Sequence, residues 1–297
     1  MDSIRLKARA KINLGLDVLG KRENGYHDVR MVMQTVGIYD RLIITKIPED
    51  EIRININLKF LPVNENNLIY KAYKLMKDEY RFSGGIDVDL NKFIPIAAGM
   101  AGGSTDAAST MFAINRLFEL GLSNEELMKQ GVKIGADVPY CIMRGTALAE
   151  GIGEKLTKLS PMPHCHIVVA KPPINVSTKM VYESLDAGAI TKHPDIDAII
   201  EAINEGDVKK VAERMGNVLE DVTVPMYPVI AKIKNDMISQ GAYNAMMSGS
   251  GPTVFGIFPD EQTALKCKEY LKAQEDARQV YITAVSYTHL TLPTKRI

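Results

Sequence analysis

The residues most suited to chemistry are concentrated in Pro95-Ile96-Ala97-Ala98-Gly99-Met100-Ala101-Gly102-Gly103-Ser104-Thr105-Asp106. Three glycines fall within five residues (99–103), so the backbone can turn sharply and approach a ligand without Cβ clashes. An apolar-periodic helix follows, and its free N–H groups and dipole point back at the loop. That geometry binds phosphate. Ser104 and Thr105 could add hydroxyl contacts to phosphate oxygens or to a bound Mg²⁺. Without a ligand the same pattern is a tight strand-to-helix turn.

Four other stretches carry candidate groups. Lys11 and Asn13 in Ala10-Lys11-Ile12-Asn13-Leu14 are two apart on a strand and share a face, a cation and an amide that could line a cleft. Asp137 in Gly135-Ala136-Asp137-Val138-Pro139 lies between a helix end and a proline-stiffened segment, where it could accept a proton or simply form a turn. Tyr26 and His27 follow a polar turn that ends in Gly25 and could stack on and hydrogen-bond to a flat ring. Ser248-Gly249-Ser250-Gly251-Pro252 is a second glycine-serine loop that could bring backbone donors to the same phosphates.

Three superficial signals are set aside. Gly15-Leu16-Asp17-Val18-Leu19-Gly20-Lys21-Arg22 resembles a Walker A loop but ends in Arg22, without the hydroxyl that Mg²⁺ needs. Gly249-Ser250-Gly251 lacks the third glycine and the βαβ setting of a dinucleotide fingerprint. His164 and His166 are spaced like a metal pair but have no visible third ligand; no metal ligand is assigned.

The elements that must position these groups follow from periodicity. Residues 4–60 read as strands (4–19, 29–36, 42–45 and 52–58), 66–80 as a helix and 85–90 as a strand. The helix after the glycine loop buries Ala107, Ala108, Met111, Phe112, Leu117 and Phe118, with Gly121 as its stop. Ser123 and Glu126 form a capping box for a helix that ends near Gly135. The second half reads strand, helices (about 178–186, 195–203, 207–219 and 226–239), strand, helix, strand. Composition shifts between Gly151 and Pro163 predict two domains, 1–156 and 157–285. The segment 286–297 has neither period nor cap and reads as a tail, natural or a cloning or sequencing scar.

Composition bounds the function. With 297 residues, 46% hydrophobic and 24% charged, the chain is ordinary globular protein. Lys plus Arg and Asp plus Glu are 36 each, without the basic excess of a general nucleic-acid or anionic-membrane binder. No apolar run reaches the roughly 18 residues of a membrane helix, and residues 1–7 show no secretory leader. The three cysteines fit neither a disulfide framework nor a zinc site. A cytoplasmic protein without nucleic-acid or membrane partners is expected.

In order and separation, Lys11 to Leu14, the 95–106 loop and Ser248-Gly249-Ser250-Gly251-Pro252 resemble the three motifs of the GHMP kinase superfamily, which includes galactokinase, homoserine kinase and mevalonate kinase. Arg22-Glu23-Asn24-Gly25-Tyr26-His27 and Gly135-Ala136-Asp137-Val138-Pro139-Tyr140-Cys141 narrow the likeness to the branch that phosphorylates a cytidine diphosphate-linked methylerythritol in the non-mevalonate isoprenoid pathway. The resemblance runs from about residue 5 to 285. It implies an α+β, two-domain GHMP kinase fold, with an N-terminal half like ribosomal protein S5 domain 2 and a C-terminal ferredoxin-like half. It implies ATP and Mg²⁺ as cofactors, a small-molecule acceptor phosphorylated on its tertiary 2-hydroxyl, and a monomer or weak homodimer.

By position, Pro95, Ile96, Ala97, Ala98, Gly99, Met100, Ala101, Gly102, Gly103, Ser104 and Thr105 would wrap the ATP phosphates, with Ser248, Gly249 and Ser250. Lys11 and Asp137 would be the catalytic pair, and Asn13, Tyr26 and His27 would contact the substrate, with cytosine between Tyr26 and Tyr182. Met100 stands for the more usual Leu and Thr105 for a common Ser. Homoserine kinase manages without an aspartate at the place of Asp137. The rivals are another superfamily kinase, of homoserine or mevalonate type, and a non-catalytic S5-like binding module; the last should carry a basic stripe.

Overall fold

The structure, a computed structural model, describes residues 2–287. The segment set apart as a tail therefore lies outside the described residues except for Ser286 and Tyr287; the Ser286 N–H donates to the Thr35 carbonyl at 2.9 Å.

Strands β1 (Ser3–Lys21) and β2 (His27–Ile47) form a long antiparallel hairpin. Residues 29–36 and 42–45 thus belong to one strand, not two. The period of residues 37–41 was hidden because Asp40, a carboxylate, occupies a fully buried position beside Ile38. Then come β3 (Ile52–Ile56), α1 (Leu68–Tyr80), β4 (Gly85–Asn91), α2 (Gly102–Leu117), α3 (Asn124–Gly131), α4 (Val138–Met143), β5 (Thr146–Glu150) and β6 (Lys155–Lys158). The second half holds β7 (His166–Lys171), α5 (Thr178–Ser184), α6 (Ile196–Glu205), α7 (Val208–Arg214), β8 (Gly216–Asn217), α8 (Glu220–Met226), α9 (Val229–Ser239), β9 (Asn244–Met247), β10 (Val254–Phe258), α10 (Glu261–Ala273) and β11 (Gln279–Ala284).

The first sheet runs β3-β4-β2-β1-β8, with β5 pairing β2 and β6 pairing β5. The second sheet is antiparallel and ordered β11-β7-β10-β9, that is, the fourth, first, third and second of its own four strands in chain order. That order is the ferredoxin-like one that the resemblance implied. Ala10 to Val18 is buried without a break because α2 packs on β1 in the first half and α6 in the second. Alternation is lost in a strand covered on both faces.

Four expectations on local structure are corrected. Helix α2 starts at Gly102, so Gly102 to Asp106 form its first turn rather than a loop. It ends at Leu117, four residues before Gly121, with Glu119 left-handed in between. The 207–219 helix is shorter, α7 giving way to β8 at Gly216. The 226–239 helix starts three residues later, as α9 at Val229 after its N-cap Pro228, and α8 ahead of it was not expected.

The α3 capping box is present. Glu126 N–H donates to Ser123 Oγ at 3.2 Å, and Ser123 N–H to Glu126 Oε2 at 2.8 Å. Ser123→Ala is expected to lower unfolding free energy by about 1 kcal/mol, read by chemical denaturation, with catalytic turnover unchanged.

Candidate active site

Between the two halves lies a cavity of about 1010 Å³. Its wall includes Lys11, Tyr26, His27, Pro95 to Ser104, Asp137, Tyr182, Gly249 and Ser250. Most of the residues singled out in the sequence are thus brought together from both sheets.

The loop ahead of α2 has an unusual backbone. Ala97, Gly99 and Ala101 all have positive φ, at 50°, 67° and 56°. Left-handed residues alternating with others curl successive N–H groups into an anion-binding concavity. The two alanines carry strain of roughly 1–2 kcal/mol each relative to right-handed backbone. Helix α2 begins directly at this concavity, with Ala101 as its N-cap and no side-chain cap. Its first N–H groups thus remain free for a ligand.

The second glycine loop docks on the first. Ser248 Oγ donates to the Gly99 carbonyl at 3.0 Å. A Cβ on Gly99 would lie 2.0 Å from Ser248 O, which excludes any side chain there. Asn217 holds the second loop from behind, its Nδ2 donating to the carbonyls of Met247 (2.9 Å) and Gly249 (2.8 Å). Asn217 pairs with Leu16 through β8, which ties the loop to β1.

Lys11 sits on β1 between shifts in register at Arg9/Lys11 and Asn13/Gly15. Such irregularities re-aim side chains near active sites. Lys11 is only 5% exposed, and a buried ammonium needs partners. Its Nζ donates to Asn13 Oδ1 at 2.7 Å and lies 4.0 Å from Asp137 Oδ2. Asp137 stands at the start of α4, where Pro139 in the first turn fixes the backbone.

The ring contact at the cavity is His27 with Tyr182, centroids 5.2 Å apart and planes at 39°. Tyr26 is 57% exposed, and it lines the same cavity as Tyr182. His27 Nε2 is buried with no partner. Burial, with a smaller push from Lys21, lowers the His27 pKa, so its ring is neutral near pH 7.

Three expected contacts lie behind the wall instead. Asn13 is fully buried under Lys11; Thr105 and Ser248 are fully buried as well. Asn13 and Ser248 contact Lys11 and Gly99, which do line the cavity. Sequence reasoning missed Leu61, Pro62, Leu68 and Leu90, an apolar part of the wall. Ordinary loop, helix and strand residues give no motif. It also missed Lys92 and Asp106, which lie 14 residues apart and join through a hydrogen bond of 2.7 Å. The Walker-like stretch lies within β1 up to Lys21, and His164 and His166 meet edge to face.

The family models for the GHMP kinases N terminal domain and the GHMP kinases C terminal match residues 67–145 and 199–277. The chain belongs to the GHMP kinases, ATP-dependent small-molecule kinases. Within them it is a member of the 4-diphosphocytidyl-2-C-methyl-D-erythritol kinase family. A protein of that name from Lachnospira eligens is 72% identical, over 95% of this chain and 98% of the relative. One from Lachnoclostridium phytofermentans is 54% identical, over 95% and 97%. A crystal structure of 4-(cytidine 5'-diphospho)-2C-methyl-D-erythritol kinase superposes with a TM-score of 0.82 at 29% identity, covering 96% of this chain and 100% of the other. A homoserine kinase from Cytophaga hutchinsonii has the same fold, at TM-score 0.77 and 19% identity over 96% and 95% of the two chains. Among the described residues no helix is long and apolar enough to cross a membrane.

Proposed function

We propose that this chain transfers the γ-phosphoryl group of ATP to the 2-hydroxyl of 4-diphosphocytidyl-2-C-methyl-D-erythritol, in the non-mevalonate isoprenoid pathway. The observation that carries the reading is the Lys11–Asp137 pair, which opens on the same cavity as the glycine loop and the His27–Tyr182 rings. Relatives named for this kinase support it.

The roles follow from chemistry. The 95–104 loop, the start of α2 and Gly249 with Ser250 wrap the phosphates. The apolar strip Leu61, Pro62, Leu68 and Leu90 suits the adenine ring. His27 reads cytosine: a neutral imidazole offers one donor and one acceptor, and its Nε2 is free for a ligand. Asp137 accepts the hydroxyl proton as the oxygen attacks the γ-phosphorus; the new O–P bond forms while the bond to the β,γ-bridging oxygen breaks and ADP leaves. Lys11, 4.0 Å from Asp137, offsets the growing negative charge. Positioning and electrostatics carry most of phosphoryl transfer.

Mg²⁺ fits as a cation carried by the phosphates. Among the described residues no group of three or more His, Cys, Asp or Glu converges on a metal, and Lys92 already engages the cavity carboxylate Asp106. When bound, the ion offsets phosphate charge. The division into an ATP-binding half, 1–156, and a substrate half, 157–285, a cytoplasmic setting and a monomer or weak homodimer complete the reading.

The test is ADP release by coupled assay with Mg·ATP and three acceptors: the cytidylyl substrate, mevalonate and homoserine. Turnover is expected with the first alone. Turnover with mevalonate or homoserine instead would keep the ATP site and discard the cytosine pocket.

A further inference from the structure

Beneath the phosphate-binding wall lies a charged cluster that the chemistry above does not use. Lys92, just after β4, donates from Nζ to Asp40 Oδ2 on β2 and, at 2.7 Å, to Asp106 Oδ2 on α2. The pairing of Arg41 with Asn91 brings Asp40 and Lys92 side by side. Asp40 Oδ1 accepts the N–H groups of Phe93 (2.6 Å) and Ile94 (2.8 Å). Asp40 is therefore fully satisfied as a carboxylate. Asp106 is not: its Oδ1 is buried and has no partner. The cluster is also close to the phosphates, since Lys92 and Asp106 belong to the cavity wall. A Cβ on Gly102, in the first turn of α2, would lie 3.2 Å from Lys92 Nζ.

Two carboxylates share one ammonium, so with both ionised the cluster holds one surplus negative charge. An incoming polyphosphate adds more negative charge at the same wall, and like charges in a buried site disfavour ionisation. The group that can yield is the one with the unsatisfied oxygen. We propose that nucleotide binding in this cavity takes up one proton on Asp106; this rests on the reading of the cavity as the ATP site.

Burial is the largest influence on Asp106; with the push from Asp40 it outweighs the attraction of Lys92 and raises the carboxyl to about 8. No charged or titratable group of β1, α1, α3 or α4, which also pack on α2, enters that balance, Lys11, Tyr73, Tyr140 and Cys141 included. The free enzyme is then a mixture of protonated and ionised forms near pH 8, and the bound enzyme is protonated. Nucleotide phosphates lose their last proton near about pH 6 and contribute little there.

The experiment is calorimetric titration of the full chain with a non-hydrolysable ATP analogue and Mg²⁺ at pH 8, in buffers of different ionisation enthalpy. Proton uptake of about half an equivalent is expected, with Kd rising up to about tenfold per pH unit above pH 8, the slope of one proton. Asp106→Asn, isosteric with the protonated acid, should abolish the uptake and flatten Kd between pH 7 and 9. Tight binding with no buffer dependence in the unaltered chain would overturn the proposal and leave the ATP site standing. Uptake that persists in Asp106→Asn would also overturn it. Absence of binding in the folded chain would remove the ATP site reading itself. The unaltered chain decides the matter even if the variant does not fold.

Discussion

Asp137→Ala is expected to reduce turnover at least ~100-fold, the scale of one positioned general base, with ATP affinity nearly unchanged. Asp137 Oδ2 is the carboxylate oxygen that faces Lys11, at 4.0 Å. That spacing is loose for a direct salt link and leaves Asp137 free to meet a hydroxyl. Removing the carboxylate does not orphan Lys11, because Asn13 Oδ1 still accepts from its Nζ at 2.7 Å. The loss should therefore be confined to the chemical step. Asp137→Asn keeps the shape and removes the basicity, so it should lose nearly as much. Steady-state ADP release, with nucleotide affinity measured separately, separates the effects. Near-normal turnover in Asp137→Ala would remove the base assignment.

Gly99→Ala should cost as much by a different route. The added methyl would sit 2.0 Å from Ser248 O, and φ there is +67°. The methyl meets backbone, so no side-chain rotation can relieve it. The two loops must part, and the Ser248 Oγ to Gly99 O bond goes with them. Displacement by about 1 Å at a phosphoryl-transfer site costs on the order of 100-fold in rate. Unlike Asp137→Ala, this variant should lose nucleotide affinity together with kcat. It should also unfold more easily, by about 1–3 kcal/mol, the range for overpacking. Calorimetric nucleotide binding and thermal unfolding check both halves. Unchanged affinity would mean that the two loops do not form one phosphate cradle.

What could be read from the sequence was whatever is local. The Ser123–Glu126 box, the turn before His27 and the two glycine loops are signalled by neighbours in the chain, and the structure has each in its place. Boundaries went astray where one local rule concealed another. Gly102 and Gly103 are poor helix formers, so the first turn of α2 looked like loop. Helix α4, six residues long, is too short to show a period. Asp40 broke the alternation of β2 because its partner, Lys92, is 52 residues away. Only the pairing of β2 with β4 makes that position suit a buried carboxylate. Asn217 is hidden for the same reason: its role depends on loop carbonyls 30 and 32 residues away. Lys11 looks like a solvated strand lysine until both faces of β1 are covered. Its meaning came from the company of four other motifs rather than from its own surroundings.

The central claim concerns which oxygen receives the phosphoryl group. The 2-hydroxyl is tertiary, so the carbon that bears it has no hydrogen. Phosphorus-31 NMR of the product, without proton decoupling, reads this directly. Incubation of the full chain with Mg·ATP and 4-diphosphocytidyl-2-C-methyl-D-erythritol should give a new phosphomonoester resonance without splitting by a carbon-bound proton, growing in step with ADP. A phosphomonoester signal split by such protons would place the group on a primary or secondary hydroxyl. That result, or ADP formation without a new phosphomonoester, would contradict the account.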